Sequence, residues 1–406
     1  MTCNDMVLTE KDTLSTLEAD RIIGHITSEK PGPTMVFFGG IHGNEQAGVL
    51  ALEKVFNKFH RGERTLESGS VIAIRGNLPA LTRKQRFLKH DLNRLWGRDR
   101  LGQVLEKPRD QRSAEENELA VLYRGVHQLL EQYSPPFYFI DLHTTSSQTL
   151  PFITVNDSII NRKFSELFPV PVILGIEEYL EGPLLSYINE LGYLALGFES
   201  GQHDDPRAIS NAEDFIWLAL SYSGAVSWTP EQDDQFQRLK NAAFGDHHFY
   251  EIFYRHKLPE VHSFKMEDGF WSFQPLPKGT LLATEKGVPV EMEKKGILFM
   301  PLYQKQGEEG FFLIRRTPRW ALRLSSRLRK WNFHKALSAL PGVNWEDEDR
   351  DRLVVNLHVT RFLSKPFFHL LGYRSRQPDK AHLILSNREH KARNGEYMNT
   401  GWFSGD

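Results

Sequence analysis

Three apolar runs in the first half of the chain each end in side chains suited to binding metal or moving protons, and this limits the folds open to it. Met35-Val36-Phe37-Phe38 leads into Gly39-Gly40-Ile41-His42-Gly43-Asn44-Glu45, Phe137-Tyr138-Phe139-Ile140 into Asp141-Leu142-His143, and Tyr193 to Phe198 into Glu199-Ser200-Gly201. Short runs that are apolar throughout predict strands covered on both faces of a sheet. After the first run, Val49, Leu50, Leu52, Val55, Phe56 and Phe59 have helical spacing, so the unit is strand, turn, helix. Val71 to Ile74 predicts another strand, and Ser113 with Glu116 has the capping-box pattern that opens a helix reaching Tyr133. Strands alternating with helices predict an α/β fold, a mostly parallel central sheet flanked by helices. Ligands bind such sheets beyond the carboxyl ends of the strands, the edge where His42, Glu45, His143 and Glu199 fall.

Three divisions follow from the texture of the 406 residues. Residues 1–243 hold the α/β pattern, closed by helices over Ser210–Val226 and from Thr229 to about Ala243. Residues 244–318 alternate in the manner of strands between glycine and proline turns, which predicts a small all-β module. Within it His248 and Glu251 repeat the H-x-x-E spacing, but residues three apart on a strand point to opposite faces and cannot share a metal. Residues 319–406 form a C-terminal extension. It opens with Arg319, Arg323, Arg327 and Lys330 beside Trp320, Leu324, Leu328 and Trp331, with no acidic residue between Glu309 and Glu346. A basic amphipathic helix can bind a membrane surface or an acidic partner. The more frequent outcome, and the expectation here, is a helix packed by its apolar face with solvated arginines outside. The acidic run Glu346 to Asp351 reads as a solvated loop or helix start, and Leu353 to Leu371 as strand or helix.

Composition narrows the setting. A formal net charge of −2 gives no global attraction to nucleic acid, and the basic residues of the main domain form no patch interleaved with stacking aromatics. The one cysteine, Cys3, rules out an intrachain disulfide. No apolar run approaches the ~20 residues needed to span a bilayer, and no secretory h-region is visible. The expected location is the cytoplasm.

Taken in order, GGIHGNE, HDLNR, DLHTT and GFES resemble the succinylglutamate desuccinylase/aspartoacylase family, within the zinc carboxypeptidase superfamily. The resemblance covers about residues 20–318 and leaves the extension outside. It implies a hydrolase that uses one zinc ion per chain to cleave the amide of a small-molecule N-acyl amino acid. Carried over, His42, Glu45 and His143 are the metal ligands, and two imidazoles with one carboxylate leave a fourth position for water. Glu199 is the catalytic glutamate, and Arg86 the arginine that offsets charge on the tetrahedral intermediate, though Arg83 and Lys84 lie in the same loop. Asn93 and Arg94 receive the substrate carboxylate, a role guanidinium geometry suits. Asp141 is either an outer carboxylate of the site or a plain strand-end polar residue. Gln202-His203-Asp204-Asp205 departs from the family pattern, and no residue matches its acyl-carboxylate recognition. The all-β module is expected to narrow the cleft, while the extension could cover the mouth, form a homo-oligomer contact or bind a partner. Two other functions stay open, a metallocarboxypeptidase acting on peptide C-termini and a metal-bearing binding protein without catalysis.

Overall fold

The computed structural model describes residues 17, 19–259, 261–331, 341–345, 352–356, 371–376, 382–387, 389 and 391–404. Cys3, the acidic run Glu346 to Asp351 and positions 357–370 lie outside the described residues. The strands of the α/β region are β1 (Ile22–Thr27), β2 (Thr34–Gly39), β3 (Ser70–Arg75), β4 (Phe137–Thr145), β5 (Phe152–Val155), β6 (Val172–Leu174) and β7 (Leu194–Gln202). Then follow β8 (Phe249–Lys257), β9 (Phe264–Met266), β10 (Gln274–Leu276), β11 (Leu281–Glu285), β12 (Val288–Glu291), β13 (Gly296–Phe299) and β14 (Glu309–Arg316). The extension adds β15 (Val343–Trp345), β16 (Arg352–Asn356), β17 (Tyr373–Arg376) and β18 (His382–Asn387).

The first half folds as a parallel sheet because its strands are apolar on both sides. Strands β3, β2, β4 and β7 run parallel, with β1 antiparallel at the edge. Alternate residues of β2 enter two different cores. Met35 and Phe37 pack with helices Ala47–His60 and Pro206–Ser223, while Val36 and Phe38 pack with helix Ala114–Gln132 on the other face. That last helix opens with Ser113 and Glu116 capping each other's backbone N–H.

Beyond β7 the direction reverses: β5 pairs antiparallel to it, and β6 and β8 follow parallel to β5. Strands β14, β13 and β10 then add antiparallel, so most of the strands between 249 and 316 extend the central sheet to eleven strands. An aromatic seam of Phe152, Tyr250, Phe273, Phe299 and Phe312 crosses this junction. Only β9, β11 and β12 form a sheet of their own, and β15–β18 form another. His248 bonds Asp246 and Glu251 bonds Arg315, so the repeated H-x-x-E spacing stays apart.

The extension differs from its expectation. Helix Arg319–Lys330 packs through Ser325 and the fully buried Arg329, with Leu322 and Leu328 half-buried, while Trp320 and Leu324 are exposed. The cause is electrostatic. Arg329 reaches Asp157 at 2.9 Å and Glu389 at 2.9 Å, and Asp157 is also held by Arg162. A buried carboxylate needs a paired cation more than a leucine needs burial. Tyr397 joins from the same extension, its hydroxyl accepting from Leu194 N at 3.0 Å and donating to Phe137 O. Those atoms open β7 and β4, so these extension residues sit on the amino-terminal edge of the sheet. Among the described residues no helix is long and apolar enough to cross a membrane.

Candidate metal centre

The carboxyl ends of β2, β4 and β7 bring the sequence-selected residues together. Gly40 turns the chain after β2 at φ +74°, a conformation that favours glycine. A Cβ on Gly43 would lie 2.1 Å from the backbone of Ala80, so only glycine lets the loop carrying His42 and Glu45 press against the next turn. Gly43 N donates to Arg86 O at 3.1 Å, which ties the Arg86 loop to the same place. His143 and Glu199 are register partners on β4 and β7.

His42, Glu45 and His143 are all buried, with ligand atoms within 4.8 Å of one another. His42 Nδ1 lies 2.8 Å from Glu45 Oε1, and His143 Nδ1 lies 2.8 Å from Glu45 Oε2. The far nitrogens are held too, His42 Nε2 by Asp91 at 3.1 Å and His143 Nε2 by Asp141 at 2.7 Å. Imidazoles that ligate metal commonly give their other nitrogen to a carboxylate, which fixes the ring and leaves the first nitrogen for the ion. The Nδ1 atoms are therefore the donors this geometry offers. Of the sequence alternatives for Asp141, the outer-carboxylate position is the one it occupies.

Charge supports the same reading. Glu45, Asp91, Asp141 and Glu199 are buried beside Arg86, which reaches Glu45 at 3.3 Å and Asp91 at 3.2 Å, while Arg94, which also acts on Asp91, is paired with Glu309. Among the described residues Asp141 Oδ1, Glu199 Oε2 and Arg86 Nε are buried without a hydrogen-bond partner. Buried carboxylates in excess of cations are costly unless protons or a metal ion complete them. Burial opposes ionisation of Glu45, yet the His42 and His143 imidazoles beside it hold its carboxyl well below the usual range. Burial also opposes ionisation of Asp91, and His42, Arg86 and Arg94 outweigh it. Glu199 goes the other way. Burial, reinforced by Glu45 and Asp141, pushes it up to about 8 despite His143 and Arg86. The donor set of two imidazoles and a carboxylate fits a catalytic zinc ion.

The pocket in front of these groups is lined by Asn93, Arg94 and Glu199 together with Met300, Leu302, Gln304 and Glu309. Asp91 accepts from Asn93 N at 2.9 Å, and Asn93 Oδ1 accepts from Leu184 N at 2.9 Å, so the turn carrying Asn93 and Arg94 is fixed at both ends. Arg94 pairs with Glu309, the first residue of β14, at 3.2 Å. Gln304 is held by Asn44 at 3.0 Å and approached by His203 at 3.3 Å, while His203 bonds Thr144 at 2.7 Å. Sequence reasoning missed Asp91, Glu309 and Gln304 as site residues. Asp91 stood inside the HDLNR motif, but its partner His42 is 49 positions away, and nothing local marks Glu309 or Gln304.

Comparison with known proteins agrees with this geometry. Residues 31–203 match the succinylglutamate desuccinylase/aspartoacylase catalytic domain. A succinylglutamate desuccinylase of Photorhabdus laumondii is 32% identical over 126 residues, 31% of this chain and 38% of that enzyme. One from Erwinia tasmaniensis is 40% identical over 63 residues, 16% of this chain and 19% of its own length. The aligned stretches thus span well under half of these relatives. Solved structures extend the likeness of fold. A succinylglutamate desuccinylase/aspartoacylase from Rhodobacter sphaeroides aligns over 71% of this chain and 87% of its own, with TM-score 0.52 and 16% identity. A succinylglutamate desuccinylase from Vibrio parahaemolyticus aligns over 75% and 95%, with TM-score 0.51 and 14% identity. The chain carries, in residues 31–203, a catalytic domain of the succinylglutamate desuccinylase/aspartoacylase family.

Proposed function

We propose that the protein is a zinc-dependent deacylase that hydrolyses the amide bond of a small N-acyl amino acid. The observation that carries this reading is the pair of Nδ1 atoms facing Glu45, each ring backed by its own carboxylate, in a buried site with more anions than cations. His42, Glu45 and His143 would hold the ion, and zinc there supplies a Lewis acid and lowers the pKa of a bound water. Glu199 takes a proton from the attacking water and delivers it to the nitrogen as the C–N bond breaks. Arg86 places positive charge beside Glu45, where the carbonyl oxygen gains negative charge. Asn93 and Arg94 grip the substrate α-carboxylate, and Glu309 keeps the guanidinium of Arg94 in position until that carboxylate arrives.

Small substrates are favoured because Met300, Leu302, Gln304 and Glu309 line the same pocket as the Asn93–Arg94 turn, and Glu309 closes on Arg94 at 3.2 Å. The test compares kcat/KM of the zinc-loaded protein for N-acetyl and N-succinyl amino acids with that for a blocked tetrapeptide. Faster hydrolysis of a free N-acyl amino acid is the expected result. A preference for the tetrapeptide would favour a metallocarboxypeptidase, and turnover of neither class with zinc bound would favour a binding protein.

A further inference from the structure

Helix Arg319–Lys330 carries apolar side chains on two sides. Its inward side holds the buried Ser325 and Arg329 with the half-buried Leu322 and Leu328. Its outward side carries Trp320, exposed at 67%, and Leu324 at 40%, and Trp331, which caps the helix, is exposed at 73%. Arg319, Arg323 and Arg327 are exposed as well and stand four residues apart, so they form one row along the helix. Trp320, Leu324 and Trp331 follow the adjoining row. Among the described residues none of the three arginines has an ion-pair partner.

Two independent features therefore lack partners on the same face, a row of cations and a row of large apolar side chains. We propose that this face docks on an anionic lipid bilayer, with the tryptophans at the boundary between headgroups and acyl chains and the arginines on lipid phosphates. Each row matches one layer of that surface. Indole rings favour the headgroup level, and guanidinium groups pair with phosphate oxygens. The helix is also held rigid before docking, since Arg329 is fixed by Asp157 and Glu389.

Charge argues against the other occupants. A two-fold contact with a second copy would set one arginine row near the other. Single-stranded nucleic acid is bound in a basic groove with stacking aromatics, whereas the arginines here form a single row on one helix.

The experiment is flotation of the full-length protein with phosphatidylcholine vesicles, with and without about one third phosphatidylglycerol, at low and high salt. Flotation with the anionic vesicles alone, reversed by salt, is expected. Arg323→Gln with Arg327→Gln should weaken binding roughly thirtyfold, about fivefold for each charge. Trp320→Ser with Trp331→Ser should weaken flotation with the anionic vesicles at low salt. The two double variants change different exposed residues, and circular dichroism shows which are folded, so either one suffices. Absence of flotation, or flotation unchanged in the arginine variant, overturns the proposal. Self-association abolished by the tryptophan variant, or tighter binding to an oligonucleotide than to anionic vesicles, overturns it in favour of those partners.

Discussion

Two buried ionic clusters lie near opposite edges of one sheet, and they are built to different rules. At the amino-terminal edge, Arg162 and Arg329 face Asp157 and Glu389, two cations against two anions among the described residues, and they fix the extension to the α/β region. At the carboxyl-terminal edge, Glu45, Asp91, Asp141, Glu199 and Glu309 share two guanidiniums, Arg86 and Arg94, and two imidazoles, and the cluster opens into a pocket. Along β4 the two edges, marked by Phe137 and His143, are about 20 Å apart at the usual strand rise. A cluster whose charges balance serves the fold. An unbalanced one needs a proton, a metal or a substrate, and that need marks a functional site.

The largest effect expected separates the two in stability. Arg329→Ala leaves Asp157 and Glu389 short of a cation, and removal of one partner from a buried pair costs about 3–5 kcal/mol. Urea unfolding should show that loss while zinc content of the folded protein stays the same; a loss of zinc would mean the clusters are coupled. Glu199→Gln should do the reverse, with stability and metal kept and turnover lowered on the order of 10²-fold or more. Near-normal kcat in that variant would remove Glu199 from the chemistry. Asp141→Asn should weaken zinc affinity roughly 10–100-fold by loosening His143, measured by competition with a chelator.

The smallest effect sharpens the rule itself. Burial opposes ionisation of Glu116, but Lys107, the Ser113 N–H and Arg100 hold its carboxyl down at about 2. Its folded pKa lies below the ordinary 4.5, so its contribution is complete above that pH and disappears as pH falls through about 2. The difference in melting temperature between the protein and Glu116→Gln should therefore close as pH drops from 5 toward 2. A difference independent of pH would show that Glu116 acts through packing alone.

Much of the carboxyl-terminal edge was legible because each side chain follows its strand within a few residues. Met35–Phe38 is apolar on both faces and so had to be buried, and glycines at 39, 40 and 43 implied a tight turn before Glu45. Asp91, Glu309 and Gln304 were not legible, since their roles come from residues far away in sequence: His42, Arg94 and Asn44. The helix at Arg319 was misread for the same reason. Its hydrophobic periodicity is real, but Asp157, 172 positions upstream, draws Arg329 inward and turns the tryptophans out. Continuation of the sheet through β8 was hidden too, because alternation shows a strand and not its neighbour.

The central claim is that a metal ion completes the charge at His42, Glu45 and His143. Zinc content per chain, measured on the purified protein and on His42→Ala, His143→Ala and His248→Ala, tests it most directly. One zinc per chain is expected in the native protein and in His248→Ala, with most of it lost from the other two, because two remaining ligands seldom hold zinc tightly. Undiminished zinc in both His42→Ala and His143→Ala would contradict the claim.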